Sequence, residues 1–124
     1  MQKEIAERKD YLNQQNISSI YFGGGTPSIL NASEIKTLLK SLYQNYNVND
    51  NAEITIECNP DDLSTSKLGS YKQLGINRLS IGVQSFHDDD LKFMNRSHNA
   101  KVAINSVNLA KKMGFKNLTI DLIY

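Results

Sequence analysis

The chain has 124 residues and a net charge of +1 at pH 7, which allows one domain or a piece of a larger one. So balanced a charge offers no electrostatic footprint for nucleic acid or an anionic membrane surface. No run approaches the roughly 20 apolar residues of a membrane-spanning helix.

Cys58 is the single cysteine, so there is no internal disulfide and no metal site built from thiols alone. The amino terminus, Met1-Gln2-Lys3-Glu4-Ile5-Ala6-Glu7-Arg8-Lys9-Asp10, is too charged for a signal peptide. The expected compartment is the cytoplasm.

Residues 1–15 read as a helix. A strand follows near 18–23, and Ile20-Tyr21-Phe22-Gly23-Gly24-Gly25-Thr26-Pro27 breaks it with three consecutive glycines. Glycine permits backbone dihedrals closed to other residues and lets a ligand approach the main chain. A plain tight turn is the competing explanation, and Pro27 fixes the exit direction in either case. Ile35, Leu38, Leu39, Leu42 and Tyr46 then share one face of a helix over 32–46. Asn31 and Glu34 have the spacing of a capping box at its start.

A strand near 53–58 leads to a helix over 66–74, a strand over 78–84, a helix over 100–113 and a strand over 117–123. Leu74-Gly75-Ile76-Asn77-Arg78-Leu79-Ser80-Ile81-Gly82 aligns with Met113-Gly114-Phe115-Lys116-Asn117-Leu118-Thr119-Ile120-Asp121. In both segments a helix ends at a glycine suited to the left-handed C′ position, and a strand begins at once. Asp88-Asp89-Asp90 suits the positive end of a short helix better than a metal cluster. His87 and His98 read as loop residues, and Tyr21 is compatible with either face of its strand.

Strands alternating with helices imply a parallel sheet. The later strands alternate strictly: Ile54, Ile56 and Cys58 oppose Thr55 and Glu57; Leu79, Ile81 and Val83 oppose Ser80, Gly82 and Gln84; Leu118, Ile120 and Leu122 oppose Thr119 and Asp121. One face is apolar and suits helices, and the other is small and polar. A doubly wound sheet would bury that polar face against helices, which is costly. A barrel, or part of one, leaves it facing a lumen. Active sites of such barrels lie at the carboxyl ends of the strands. Here those ends carry the glycines, Glu57-Cys58-Asn59-Pro60, Gly82-Val83-Gln84-Ser85-Phe86 and Asp121.

Tyr21-Phe22-Gly23-Gly24-Gly25-Thr26-Pro27-Ser28 resembles the second-strand signature of the radical S-adenosylmethionine (SAM) enzymes, within them the oxygen-independent coproporphyrinogen III oxidase group. Glu57-Cys58-Asn59-Pro60, Gly82-Val83-Gln84-Ser85-Phe86, Asn95-Arg96-Ser97-His98 and Ile120-Asp121-Leu122-Ile123-Tyr124 follow in the family's order. Asn59 and Ser85 are more similar to the HemW-like heme chaperones than to the oxidase proper, in which Asp is expected at both. Asn95 departs from the glycine common before that arginine in the chaperones.

The resemblance implies an α/β fold, about strands two to five of a partial (β/α)6 barrel. Residues 1–124 would be a single partial core domain, without the cluster-binding first strand and loop, the last strand or the carboxyl-terminal domain. It implies that Gly24, Gly25 and Thr26 hold the amino-acid end of SAM, that Glu57 and Gln84 bind its hydroxyl or amino groups, that Arg96 binds its carboxylate and that Asp121 completes the site. A 4Fe–4S cluster, held by a Cys-x-x-x-Cys-x-x-Cys loop in the family, would belong to the intact protein only, because Cys58 cannot replace those ligands. Heme or a porphyrinogen is the implied further ligand of the intact protein, and the isolated chain is expected to be inactive and prone to self-association. A nucleotide module cradling phosphate, and a purely structural unit, are the alternatives. The first needs a helix amino terminus directly after the glycines, which Pro27-Ser28-Ile29-Leu30 delays.

Overall fold

The computed structural model describes residues 1–13 and 15–124; residue 14, inside the helix predicted over 1–15, lies outside the described residues. Four parallel strands form one sheet in the order β1 (Ile17–Phe22), β2 (Val48–Cys58), β3 (Arg78–Gln84) and β4 (Asn117–Leu122). The predicted alternation sets its two faces. Ile20, Ile54, Ile56, Cys58, Leu79, Ile81 and Val83 are buried in one cluster with Ile35 and Leu39 of α2 (Ala32–Asn45), Leu68 and Tyr71 of α3 (Thr65–Gln73), and Ala103 and Ala110 of α5 (Ala100–Lys112). Tyr21, Glu57, Gly82, Gln84 and Asp121 are left on the other face, half-buried or exposed. Removing the apolar face from water is the main drive for this arrangement.

Helix ends follow from local chemistry. Asn31 Oδ1 accepts the Glu34 N–H at 3.0 Å while Glu34 Oε2 accepts the Asn31 N–H at 2.8 Å, closing the expected capping box on α2. Ser64 and Asn99 cap α3 and α5 in the same way with one bond each. The repeated glycines end both helices: Gly75 and Gly114 have φ of 85° and 84°, and the next N–H groups, of Ile76 and Phe115, return to Tyr71 and Ala110. Asn77 then clamps β2, accepting the Ile54 N–H at 2.8 Å and donating to the Ala52 carbonyl at 2.9 Å. Lys72, in the last turn of α3, donates to the Met113 and Gly114 carbonyls at 3.2 Å each and stands 5.6 Å from the Phe115 ring centre.

Two expected boundaries shift. The first helix, α1, covers only Gln2–Glu7 and buries no residue, because it lacks the apolar stripe that would hold it to the sheet; turns follow, with Asn13 at φ 48°. β2 begins at Val48 rather than near 53, since Val48 pairs with Ile17 before a register shift brings Glu53 opposite Ser19. The polar run Asn49-Asp50-Asn51 hides this extension from a hydrophobic pattern. The short helix expected to open on Asp88-Asp89-Asp90, α4, spans Asp88–Phe93. No helix among the described residues is long and apolar enough to cross a membrane.

Candidate functional site

The carboxyl ends of the strands surround a cavity of about 200 Å³ lined by Gly25, Thr26, Glu57, Gln84, Arg96 and Asp121, with Asn59, Ser80 and Gly82 between them. Gly24, the remaining predicted residue, is tied to this group through its N–H, which donates to Glu57 Oε2 at 3.0 Å. Residues scattered over 98 positions of sequence are thus on one rim.

The three glycines serve different ends. Gly24 and Gly25 have φ of 79° and 56°, and a Cβ built on either meets no atom within 4 Å. Their requirement is conformational, and the space beside them is free for a ligand. Gly23 has no positive φ, but its Cβ would stand 2.5 Å from Tyr21 Cε1 and 3.0 Å from Glu57 Oε1. Pro27 opens a 3₁₀ turn over Pro27–Ile29 and α2 starts only at Ala32, so no α-helix amino terminus faces the glycines directly.

Glu57, at the end of β2, is held at both oxygens. Oε1 accepts the Tyr21 hydroxyl at 2.8 Å and Oε2 accepts the Gly24 N–H. The Tyr21 phenol is pushed above its ordinary value, first by its hydrogen bond to the Glu57 carboxylate and then by burial and that carboxylate's charge. On the neighbouring strands the Ser80 hydroxyl lies 3.3 Å from both carboxylate oxygens of Asp121.

Gln84 ends β3 with φ 67°, and the Ser85 N–H returns to the Val83 carbonyl at 2.9 Å, which makes Gln84 the centre of a positive-φ γ-turn. Such a conformation is strained for a residue with a side chain, and strain of this kind collects at functional sites. The Gln84 amide folds back over Gly82, whose Cβ would stand 2.9 Å from Nε2. His98, read from sequence as a loop residue, is buried and supports this turn from Nε2.

Arg96 is aimed by the end of α4. Asn95 takes the left-handed C′ position at φ 54°, with its N–H on the Lys92 carbonyl and the Arg96 N–H on Leu91. That accounts for asparagine at a place where glycine is common, since asparagine tolerates this region best after glycine. The guanidinium then donates through Nη2 to Asn59 Oδ1 at 3.1 Å.

Three side chains here escaped the sequence reading: Tyr21, Asn59 and Ser80. Alternation put Ser80 on the polar face, but its partnership with Asp121 depends on strand register. Cys58 points away from the site, is buried, and has its thiol pushed up to about 12, chiefly by burial. The acid run opens α4 and is also spent beyond it: Asp90 accepts the Ser85 hydroxyl at 2.7 Å, Asp88 accepts the N–H of Ala100, the first residue of α5, at 2.8 Å, and Asp89 is exposed beside Lys92. Among the described residues no group of three or more His, Cys, Asp or Glu side chains is placed to hold a metal ion.

Comparison with known proteins agrees with this arrangement. The chain is 41% identical over 124 residues to the heme chaperone HemW of Haemophilus influenzae, covering 100% of this chain and 32% of that protein. It is 36% identical over its whole length to the oxygen-independent coproporphyrinogen III oxidase of Escherichia coli, covering 27% of it. The solved structure of that enzyme, HemN, superposes with a TM-score of 0.88 over 99% of this chain and 28% of its own. The chain therefore spans about a third of the length of the curated relatives it matches. A profile of the Radical SAM superfamily matches residues 2–124. With four parallel strands, helices packed on one face and the glycine turn at the carboxyl rim, the chain belongs to the radical SAM superfamily.

Proposed function

We propose that this chain carries the SAM-binding part of a radical SAM protein of porphyrin or heme metabolism, of the HemW-like heme-chaperone kind. The observation that carries the reading is the rim cavity itself. Gly25, at positive φ with open space beside it, faces a carboxylate pair, an amide and a guanidinium across about 200 Å³, and Gly24 is tied to that rim by its N–H on Glu57. This donor set fits SAM, whose amino-acid end presents both a cation and a carboxylate. Gly24, Gly25 and Thr26 would seat that end along the backbone. Arg96 would take its carboxylate, for which a planar guanidinium is well shaped. Glu57 and Asp121 would accept from its amino group and ribose hydroxyls, and the Gln84 amide could accept there or donate to its acceptors.

The residues do not fit a 4Fe–4S cluster. Its thiolate ligands cannot come from one buried cysteine held as a thiol. We therefore read residues 1–124 as one part of a radical SAM core, with the cluster, and any heme or porphyrin chemistry, belonging to the intact protein. Asn59 and Ser85, where Asp is expected in the oxidase, favour the chaperone over the oxidative decarboxylation of coproporphyrinogen III, and the HemW relatives range from 36% to 41% identity against 36% for the oxidase of Escherichia coli. A cytoplasmic setting goes with this reading. The unpaired edges of β1 and β4 suit self-association of the isolated chain.

Calorimetric titration of the chain with SAM and, in parallel, with AMP and GTP tests the assignment. Saturable binding of SAM with no binding of the nucleotides is expected. Binding of the nucleotides in preference to SAM would replace it with a phosphate-cradling module.

A further inference from the structure

The first glycine of the triplet is not explained by a turn or by the cofactor. Gly23 lacks a positive φ, yet any side chain on it would strike the Tyr21 ring at 2.5 and 2.9 Å. Tyr21 is itself 56% exposed, so apolar burial does not fix its ring. What fixes it is the hydrogen bond from its hydroxyl to Glu57 Oε1 at 2.8 Å, and Glu57 in turn takes the Gly24 N–H at 3.0 Å. Sheet register makes the reach possible: Tyr21 lies opposite Thr55, and Glu57 is the next residue on the same face of β2. The ring therefore crosses Gly23 to meet it.

We propose that Tyr21 is a positioning residue of this site: its phenol fixes the Glu57 carboxylate, which fixes the Gly24 peptide, so that the glycine turn is held in shape before any ligand arrives. Gly23 is the clearance that lets the phenol cross. A carboxylate acceptor makes both bonds charge-assisted, and such bonds are roughly twice as strong as neutral ones. Locking one oxygen with Tyr21 also removes the rotation that would release the other from Gly24. The ligand consequence rests on the reading of the cavity as a SAM site; the positioning of Gly24 does not.

The test is backbone amide exchange at Gly24, followed by NMR in the ligand-free chain, together with SAM affinity. Tyr21→Phe keeps the ring and removes only the hydroxyl. Gly24 exchange is expected to quicken by about 3- to 10-fold, the scale of one lost hydrogen bond. Gly23→Ala displaces the ring and is expected to quicken exchange as well, with the phenol still present. Glu57→Gln sets the limit for a weakened acceptor. Unchanged Gly24 exchange in Tyr21→Phe overturns the proposal, whether or not Glu57→Gln changes it.

In calorimetry Tyr21→Phe is expected to weaken SAM binding several-fold, and the Tyr21→Phe/Glu57→Gln double variant to bind no more weakly than Glu57→Gln alone. Losses that simply add would mean that Tyr21 acts by a route other than Glu57 and would also overturn the proposal. If the wild-type chain does not bind SAM, the cofactor reading falls, and the exchange rates still decide the role of Tyr21.

Discussion

His98 Nε2 lies 2.9 Å from the Val83 carbonyl oxygen, which also receives the Ser85 N–H at 2.9 Å. A carbonyl only accepts, so the ring must carry its proton on Nε2. The buried histidine is thus a brace behind the γ-turn that presents Gln84 to the cavity. His98→Ala is expected to lower unfolding stability by about 1–3 kcal/mol, from a lost buried hydrogen bond and lost packing. His98→Gln, which keeps a donor, should recover part of it. Thermal denaturation followed by circular dichroism measures both.

Asn95 offers the converse test, because its φ of 54° is set by the end of α4 rather than by a ligand. Asn95→Ala is expected to destabilise by about 1 kcal/mol, the penalty of a Cβ without a local hydrogen-bonding group in the left-handed region. Asn95→Gly should be neutral or stabilising by a few tenths of a kcal/mol. Equal denaturant midpoints for the Ala and Gly variants would contradict this account of the position.

Cys58 is predicted to resist thiol reagents while the chain is folded. Burial raises its thiol from the ordinary 9.0 to about 12, so at pH 8 almost none is thiolate, and access is blocked as well. Labelling with a disulfide reagent should require denaturant. The linkage has a definite sign. A folded value above the unfolded one gives a contribution that is complete below about pH 9 and is lost as pH rises toward 12. Cys58→Ala should therefore lose less stability over that alkaline range than the wild type.

Arg96→Lys is expected to weaken SAM binding about tenfold, since an ammonium cannot reproduce the planar two-point geometry offered to a carboxylate. The melting temperature should change little, because among the described residues the guanidinium's side-chain bond is to the half-exposed Asn59. Calorimetry that found wild-type affinity in Arg96→Lys would remove Arg96 from the binding set.

Reconstitution of this polypeptide with iron and sulfide should give no stoichiometric cluster absorbance. One buried thiol cannot supply a ligand set. A robust cluster spectrum that survives gel filtration is the contrary result.

Much of this architecture was legible in the residues, for identifiable reasons. β2 and β3 announce themselves because each has one face in the core and one toward the lumen, so their period is two; β4 keeps that period in sequence, but of its apolar face only Leu118 packs on the core, while Ile120 and Leu122 are exposed. Gly75 and Gly114 mark helix ends because only the left-handed region closes those helices. Glu57, Gln84 and Asp121 could be placed on one rim because each ends, or nearly ends, an alternating strand. What stayed hidden depends on distance across the fold. Whether Tyr21 faces Glu57 is a matter of inter-strand register, and no local pattern carries register. His98 sits among polar neighbours in sequence and becomes buried only when its loop folds back on β3. The start of β2 is hidden by the polar run at 49–51, and Val48 before it is placed by pairing with Ile17 across the sheet.

Lys72 and Asn77 give the two repeated units a sense of direction. Asn77, between the helix end and the strand of the first unit, grips the strand before it, at Ile54 and Ala52. The helix end that opens the second unit, at Met113 and Gly114, takes its cap from Lys72 in the last turn of α3, the helix that leads into the first, and a Cβ on Gly114 would stand 2.8 Å from that ammonium. Each closure therefore borrows from residues already placed upstream and asks nothing of those still to come. The dependence runs one way along the chain, in the order in which a ribosome would release it.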